Sequence, residues 1–87
     1  MAEVELYTTT FCPYCSRARA LLTRKGVAYT EIDIIEEPAR RDEMIRRAGG
    51  RTSVPQIFID DEHIGGSDEL VVLDRAGELD DKLRSAR

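Results

Sequence analysis

The chain holds two cysteines, and both fall within the run Thr10-Phe11-Cys12-Pro13-Tyr14-Cys15. Two thiols three positions apart serve as half of a metal site, as a structural pair, or as a pair that exchanges disulfides. A structural zinc site needs four ligands, and the only spare candidate beyond the pair is His63, far along the chain. A bridge between Cys12 and Cys15 closes too small a loop to hold a domain together, because disulfide scaffolds rely on several bridges spread along the chain. An inert buried pair needs no chemistry, but it leaves Pro13 and the helix start beside it as coincidence. A reactive pair accounts for both.

The elements around the cysteines follow from periodicity. Val4, Leu6 and Thr8 alternate with Glu5 and Tyr7, which predicts a strand ending near Thr9. Pro13 suits the first turn of a helix, where its missing amide proton costs nothing, and Ala18, Leu21 and Leu22 then share one face until Gly26. Val27 to Ile35 predicts a second strand. Glu36, Glu37 and Pro38 open a second helix that runs to Gly49 and Gly50. Ile57 to Ile59 and His63 to Ile64 flank an acidic turn at Asp60 and Asp61, a hairpin without the favoured turn glycine. Gly65 and Gly66 break that strand, Ser67 is the expected cap, and Asp68 and Glu69 occupy the positive first turn of a third helix. Leu70 and Leu73 supply its apolar face up to Gly77, and Leu79 and Leu83 belong to a final short helix.

The order is βαβαββα, with a right-handed crossover between two parallel strands and an antiparallel hairpin after it. Cys12 then sits where the first strand turns into a helix N-terminus, with Cys15 one turn inside. Free amides and the positive dipole end favour a thiolate at Cys12. Cys15, on the same side of the helix, reaches a mixed disulfide formed there.

Two further segments carry a plain and a functional reading each. In Thr52-Ser53-Val54-Pro55, the sequence favours an edge-strand proline whose missing donor costs nothing. The functional reading is a cis Val54–Pro55 bond that turns the Val54 backbone toward an extended sulfur-containing peptide. Gly65-Gly66-Ser67-Asp68 is explained as a helix cap. Its functional version lets a ligand approach the glycines while the Ser67 and Asp68 amides bind a carboxylate.

Composition narrows the function classes. With 87 residues, 41% of them hydrophobic, the chain makes one small domain over 1–87. A net charge of −4 argues against nucleic acid, whose phosphates need a basic face. Arg40, Arg41, Arg46, Arg47 and Arg51 nevertheless cluster mid-chain, as solvated helix faces or as a small-anion site, while acidic residues load the last third. No basic-then-apolar leader opens the chain and no run is long enough to span a bilayer, so the expected setting is cytoplasmic, without membrane contact, and monomeric. In a reducing compartment a disulfide is usually transient and catalytic.

Taken together, Cys12-Pro13-Tyr14-Cys15, Ser53-Val54-Pro55 in place of Thr-Val-Pro, and Gly65-Gly66-Ser67-Asp68 resemble the glutaredoxins, most nearly the small bacterial dithiol members. The resemblance covers nearly the whole chain. It implies a thioredoxin-like α/β fold with a four-stranded mixed sheet flanked by helices, no bound cofactor, and glutathione as reducing co-substrate. The implied substrates are disulfide-containing or glutathionylated proteins, ribonucleotide reductase being one candidate. By position, Cys12 is the nucleophile and Cys15 the resolving thiol. Tyr14 flanks the glutathione sulfur, Val54 pairs with its cysteinyl backbone, Gly66, Ser67 and Asp68 hold its γ-glutamyl end, and Pro13, Arg51, Ser53 and Pro55 are the remaining expected glutathione-binding residues.

The departures are also informative. Thr9 stands where many relatives carry a lysine, so an arginine of the second helix or Arg51 is expected to supply the missing charge. Ser67 replaces a cysteine that several relatives have. Two other functions remain open: an iron–sulfur cluster held between two subunits through Cys12 and external glutathione, and a dithiol donor fed by a thioredoxin reductase. Pro13 and Tyr14 weigh against the first, because cluster-binding relatives typically have glycine after the nucleophile. The Gly65–Asp68 cap and the arginines weigh against the second. His63 is expected as an exposed hairpin residue without a catalytic role.

Overall fold

Alternation in the first strand places Val4 and Leu6 on one face of a sheet and Tyr7 on the other, and every one of these side chains is buried. A strand buried on both faces must lie inside the sheet, between helical layers. The computed structural model describes residues 3–84, so residues 1–2 and 85–87 of the domain expected over 1–87 lie outside the described residues. The elements are β1 Val4–Thr8, α1 Pro13–Arg24, β2 Thr30–Asp33, α2 Ala39–Arg47, β3 Gln56–Ile59, β4 Glu62–Gly65, α3 Ser67–Arg75 and α4 Leu79–Leu83. The sheet order is β2-β1-β3-β4, with β1 parallel to β2 and the other pairs antiparallel. This is the βαβαββα order expected, closed by the short helix expected at Leu79 and Leu83.

The two faces of the sheet carry separate cores. Val4, Leu6, Ile57 and Ile59 pack with Ala18, Leu21 and Leu22 of α1, Leu70 of α3, and Leu79 and Leu83 of α4. On the opposite face, Tyr7, Ile32 and Phe58 pack with Met44 of α2 and Ala48 just beyond it. Here the layer is partly polar. The Arg47 guanidinium lies 4.1 Å from the Phe58 ring centre, pairs with Glu5 at 2.8 Å and donates to the Tyr7 hydroxyl at 2.7 Å. That hydroxyl in turn donates to Glu43, which also receives Arg40 at 3.0 Å.

Boundaries differ from the sequence expectation in two places. β2 is the four residues Thr30–Asp33 rather than Val27–Ile35. At its start, Gly26 takes a positive φ of 71° and the Val27 amide turns back to Leu22 O at 3.4 Å, so these residues are still closing α1. At its end, the Asp33 carboxylate accepts the Ile35 and Glu36 amides at 2.8 and 3.3 Å and turns the chain. Glu36 and Glu37 therefore lie in that turn, and α2 starts after Pro38 and stops at Arg47, short of both glycines. The β3–β4 hairpin closes as expected, with Asp60 and Asp61 at φ of 50° and 67° taking the left-handed conformation a glycine would ordinarily supply.

The core packing sets a stability prediction. Leu70→Ala, at a position fully shielded from solvent, is expected to lower the unfolding free energy by roughly 2–5 kcal/mol, whereas Val72→Ala on the exposed face of α3 should stay within about 0.5 kcal/mol. Urea unfolding of the two variants measures both.

Candidate functional site

The N-terminus of α1 is the first part of the site. Cys12 is its N-cap, with extended backbone at φ −141° and ψ 108°, and its sulfur accepts the Cys15 amide at 3.2 Å. Pro13 follows at the first helical position, where no amide proton is needed. A capping sulfur fixed on an amide is a stabilised position for negative charge. The loop before it is tied to the end of β2 by Thr10 Oγ1, which donates to Asp33 Oδ2 at 2.9 Å. The Ile35 amide and the Thr10 hydroxyl hold the Asp33 carboxyl below the usual carboxylate range.

The two cysteines sit in different surroundings. Cys12 is partly exposed, while Cys15 is fully buried. Burial above all, and then its hydrogen bond with Cys12, push the Cys15 thiol up to about 12. At neutral pH its proton stays on.

The second part is the segment before β3. The Val54–Pro55 peptide is cis, and Pro55 precedes an interior strand, so the edge-strand reading favoured by the sequence is corrected. The Val54 carbonyl accepts the Cys12 S–H at 3.8 Å. Behind it, the buried Gln56 amide donates to Ser53 O at 2.9 Å and Ser53 Oγ at 3.3 Å, while its oxygen meets His63 Nε2 at 2.7 Å. His63 is not the exposed hairpin residue expected: it is half-buried and stacked on Phe58 with ring centres 5.1 Å apart. Burial, with the nearby Arg51 charge, holds its pKa below the ordinary histidine value, so the neutral ring donates from Nε2 to Gln56.

The third part is the start of α3. Ser67 is not the cap expected: Gly66 occupies the N-cap and Ser67 is the first helical residue, buried. The Glu69 carboxylate reaches back to the Gly66 amide at 2.6 Å, one half of a capping box whose other half glycine cannot supply. Glu69 also receives Arg51 Nη1 at 3.0 Å, and these two donors hold its carboxyl low.

These three parts enclose a cleft of about 260 Å³ lined by Tyr14, Arg51, Ser53, Val54, Pro55, Gly66, Ser67, Asp68 and Glu69. Every residue expected in a glutathione site lines it except Pro13, which is exposed on the first turn of α1. Of the expected substitutes for the missing lysine, Arg51 lines the cleft and no α2 arginine does. Arg40 and Arg47 are engaged with Glu43 and Glu5 on the far face of the sheet. Glu69 is the lining residue that sequence reasoning missed. Its spacing three residues after Gly66 was the available signal, although in the sequence it counted only as an acidic first-turn residue.

The glutaredoxin family model matches residues 4–64. The chain belongs to the glutaredoxin family. It is 57% identical over 84 residues to glutaredoxin 3 of Escherichia coli strain K12, covering 97% of this chain and 100% of that one. Among solved structures it resembles the glutaredoxin from Brucella melitensis, at 47% identity and a TM-score of 0.85, over 100% of this chain and 94% of that one. It also resembles the buckwheat glutaredoxin in a glutathione complex, at 30% identity and a TM-score of 0.86, over 94% of this chain and 76% of that one. The fold is thioredoxin-like, and this glutaredoxin is a glutathione-dependent thiol–disulfide oxidoreductase. Among the described residues, no helix is long and apolar enough to cross a membrane.

The unequal burial of the two thiols sets a labelling prediction. Brief treatment of the reduced native protein with iodoacetamide at about pH 8 should add one carbamidomethyl group, on Cys12, and a second, on Cys15, only after denaturation. Peptide mapping by mass spectrometry identifies the site; rapid labelling of Cys15 in the native protein would contradict its burial.

Proposed function

We propose that Cys12 is the attacking thiolate, Cys15 the resolving thiol, and the cleft between them and α3 the glutathione site. The observation that carries this reading is the placement of the Cys12 sulfur between the Cys15 amide and the Val54 carbonyl, beside a cleft that ends on α3. The Ser67 and Asp68 amides, at the first two positions of α3, have no intrahelical acceptor and are suited to a carboxylate. Val54 presents backbone to an extended peptide, and Tyr14, half-exposed, walls the approach to the sulfur.

With a glutathionylated protein, the Cys12 thiolate attacks the glutathione sulfur. The mixed S–S bond breaks, the protein leaves as a thiolate that takes up a proton, and Cys12 carries the glutathione. The thiolate of a second glutathione then attacks that glutathionyl sulfur, which releases oxidised glutathione and restores Cys12. With a protein disulfide, Cys12 forms a mixed disulfide with one sulfur. Cys15 loses its proton, attacks Cys12 and expels the target as a dithiol, and two glutathiones reduce the Cys12–Cys15 bond.

The environment of Cys15 fits this order. Part of what holds its proton is the hydrogen bond and charge of Cys12, and both vanish once Cys12 is in a mixed disulfide. Cys15 therefore becomes a better nucleophile when there is a bond for it to attack. The substrates in this reading are disulfide-containing or glutathionylated proteins, with ribonucleotide reductase as one candidate, and the setting is a monomer in the cytoplasm that uses no resident cofactor.

Reduction of a glutathionylated peptide, coupled through glutathione reductase and NADPH, tests the assignment. Cys12→Ser should fall to the uncatalysed background. Cys15→Ser should keep activity on this substrate within a few-fold while losing reduction of an intramolecular protein disulfide. Activity surviving in Cys12→Ser would overturn both roles.

A further inference from the structure

Glu69 belongs to the cleft yet has no part in the thiol chemistry. Its Oε1 atom accepts two donors at once, the Gly66 amide at 2.6 Å and Arg51 Nη1 at 3.0 Å. The second contact joins the N-terminus of α3 to a loop whose residues from Gly49 to Ser53 are all exposed. Among the described residues it is the only ion pair across the cleft, and Arg51 has no other carboxylate partner.

The backbone beside the pair is shaped to admit it. Gly65 has a φ of +116°, and a Cβ there would stand 2.6 Å from Glu69 Oε1, 2.9 Å from Glu69 Cγ and 3.1 Å from Arg51 Nη1. Only a glycine leaves room for the carboxylate and guanidinium to meet at this place. At Gly66 a Cβ would stand at ordinary contact distance, 3.7 Å from Arg51 Nη2. The second guanidinium nitrogen thus lies beside Gly66, the N-cap of α3, in the cleft that Ser67 and Asp68 also line.

We infer that Glu69 is a positioning residue for the co-substrate: it clamps Arg51 through Nη1 so that Nη2 joins the Ser67 and Asp68 amides in receiving a carboxylate of glutathione. The inference rests on the reading of this cleft as the glutathione site. Arg51 has five N–H donors on a long side chain, and tethering one of them removes rotamer freedom that binding would otherwise have to remove. Glu69 also covers the Gly66 amide, which leaves the next two amides as the free donors and so sets where along α3 the carboxylate lands. The alternative is that Glu69 acts as an internal anion that competes with glutathione for Arg51. The two roles predict opposite changes in KM.

The test uses the full chain with a small glutathionylated peptide and varied reduced glutathione, comparing wild type, Glu69→Ala and Glu69→Gln. Loss of the clamp in Glu69→Ala should raise the glutathione KM about fivefold, the upper range for an exposed ion pair, with kcat little changed. Glu69→Gln keeps an acceptor for both donors and should restore KM to within about twofold of wild type. An unchanged or lowered KM in Glu69→Ala overturns the clamp, as does a fall in kcat that accompanies the KM change and tracks a loss of thermal stability in both variants. A wild-type protein that turns over with a dithiol reductase but not with glutathione would instead overturn the reading of the cleft, and the inference with it.

Discussion

One hydrogen bond organises the reactive end of this protein: the Cys15 amide donates to the Cys12 sulfur at 3.2 Å. It makes Cys12 the cap of α1, and a cap must lie at the strand-to-helix turn with extended backbone. The same bond places Cys15 one turn inside, against the core, where it is fully buried. A single local constraint thereby separates the two thiols into a partly accessible one and a shielded one that keeps its proton. Pro13 supports this division because it enters the helix at the one position that asks for no amide.

The rest of the site depends on polar ties that cross the sheet or join distant segments. Gln56 holds Ser53 on one side and His63 on the other, so the residues facing Cys12 are anchored to β4. Thr10 and Asp33 anchor the other side of Cys12 to the end of β2. On the α2 face, Arg47 joins Glu5, Tyr7 and Phe58, which draws it away from the active end. The mid-chain arginines are therefore divided between a structural layer and the cleft. Where such a network is part-buried and its members are paired, it favours one arrangement over its alternatives because an unpaired buried member would be costly.

Cleft and chemistry have distinct physical origins. In the reading proposed above, the sulfur chemistry draws on helix geometry at α1, while ligand recognition draws on the free amides of α3, the Val54 backbone and Arg51. With Thr9 where many relatives carry a lysine, Arg51 is the arginine that the fold brings to the cleft. Glu69 links this arginine to the Gly66 amide at the N-terminus of α3.

Much of this was legible in the residues. Cys12-Pro13-Tyr14-Cys15 is a local motif, and the helix start, with Cys12 at its N-terminus and Cys15 one turn inside, follows from residue type and spacing. The hairpin, the parallel pair and the helices also follow from period and punctuation, which depend on near neighbours. Element edges were less legible, because β2 is cut short by a return of Val27 to Leu22 and by the Asp33 side chain, and neither bond has a periodic signature. What tertiary structure alone decided were the contacts between distant segments. Pro55 could open an edge strand or an interior one until β1 and β4 took their places on either side of β3. His63 could face water until Phe58 and Gln56 closed on it, and Arg51 could belong to α2's arginines until Glu69 drew it to α3. A sequence determines the conformations each residue can adopt with its neighbours; which side chains meet across the chain depends on how the packed elements bring them together.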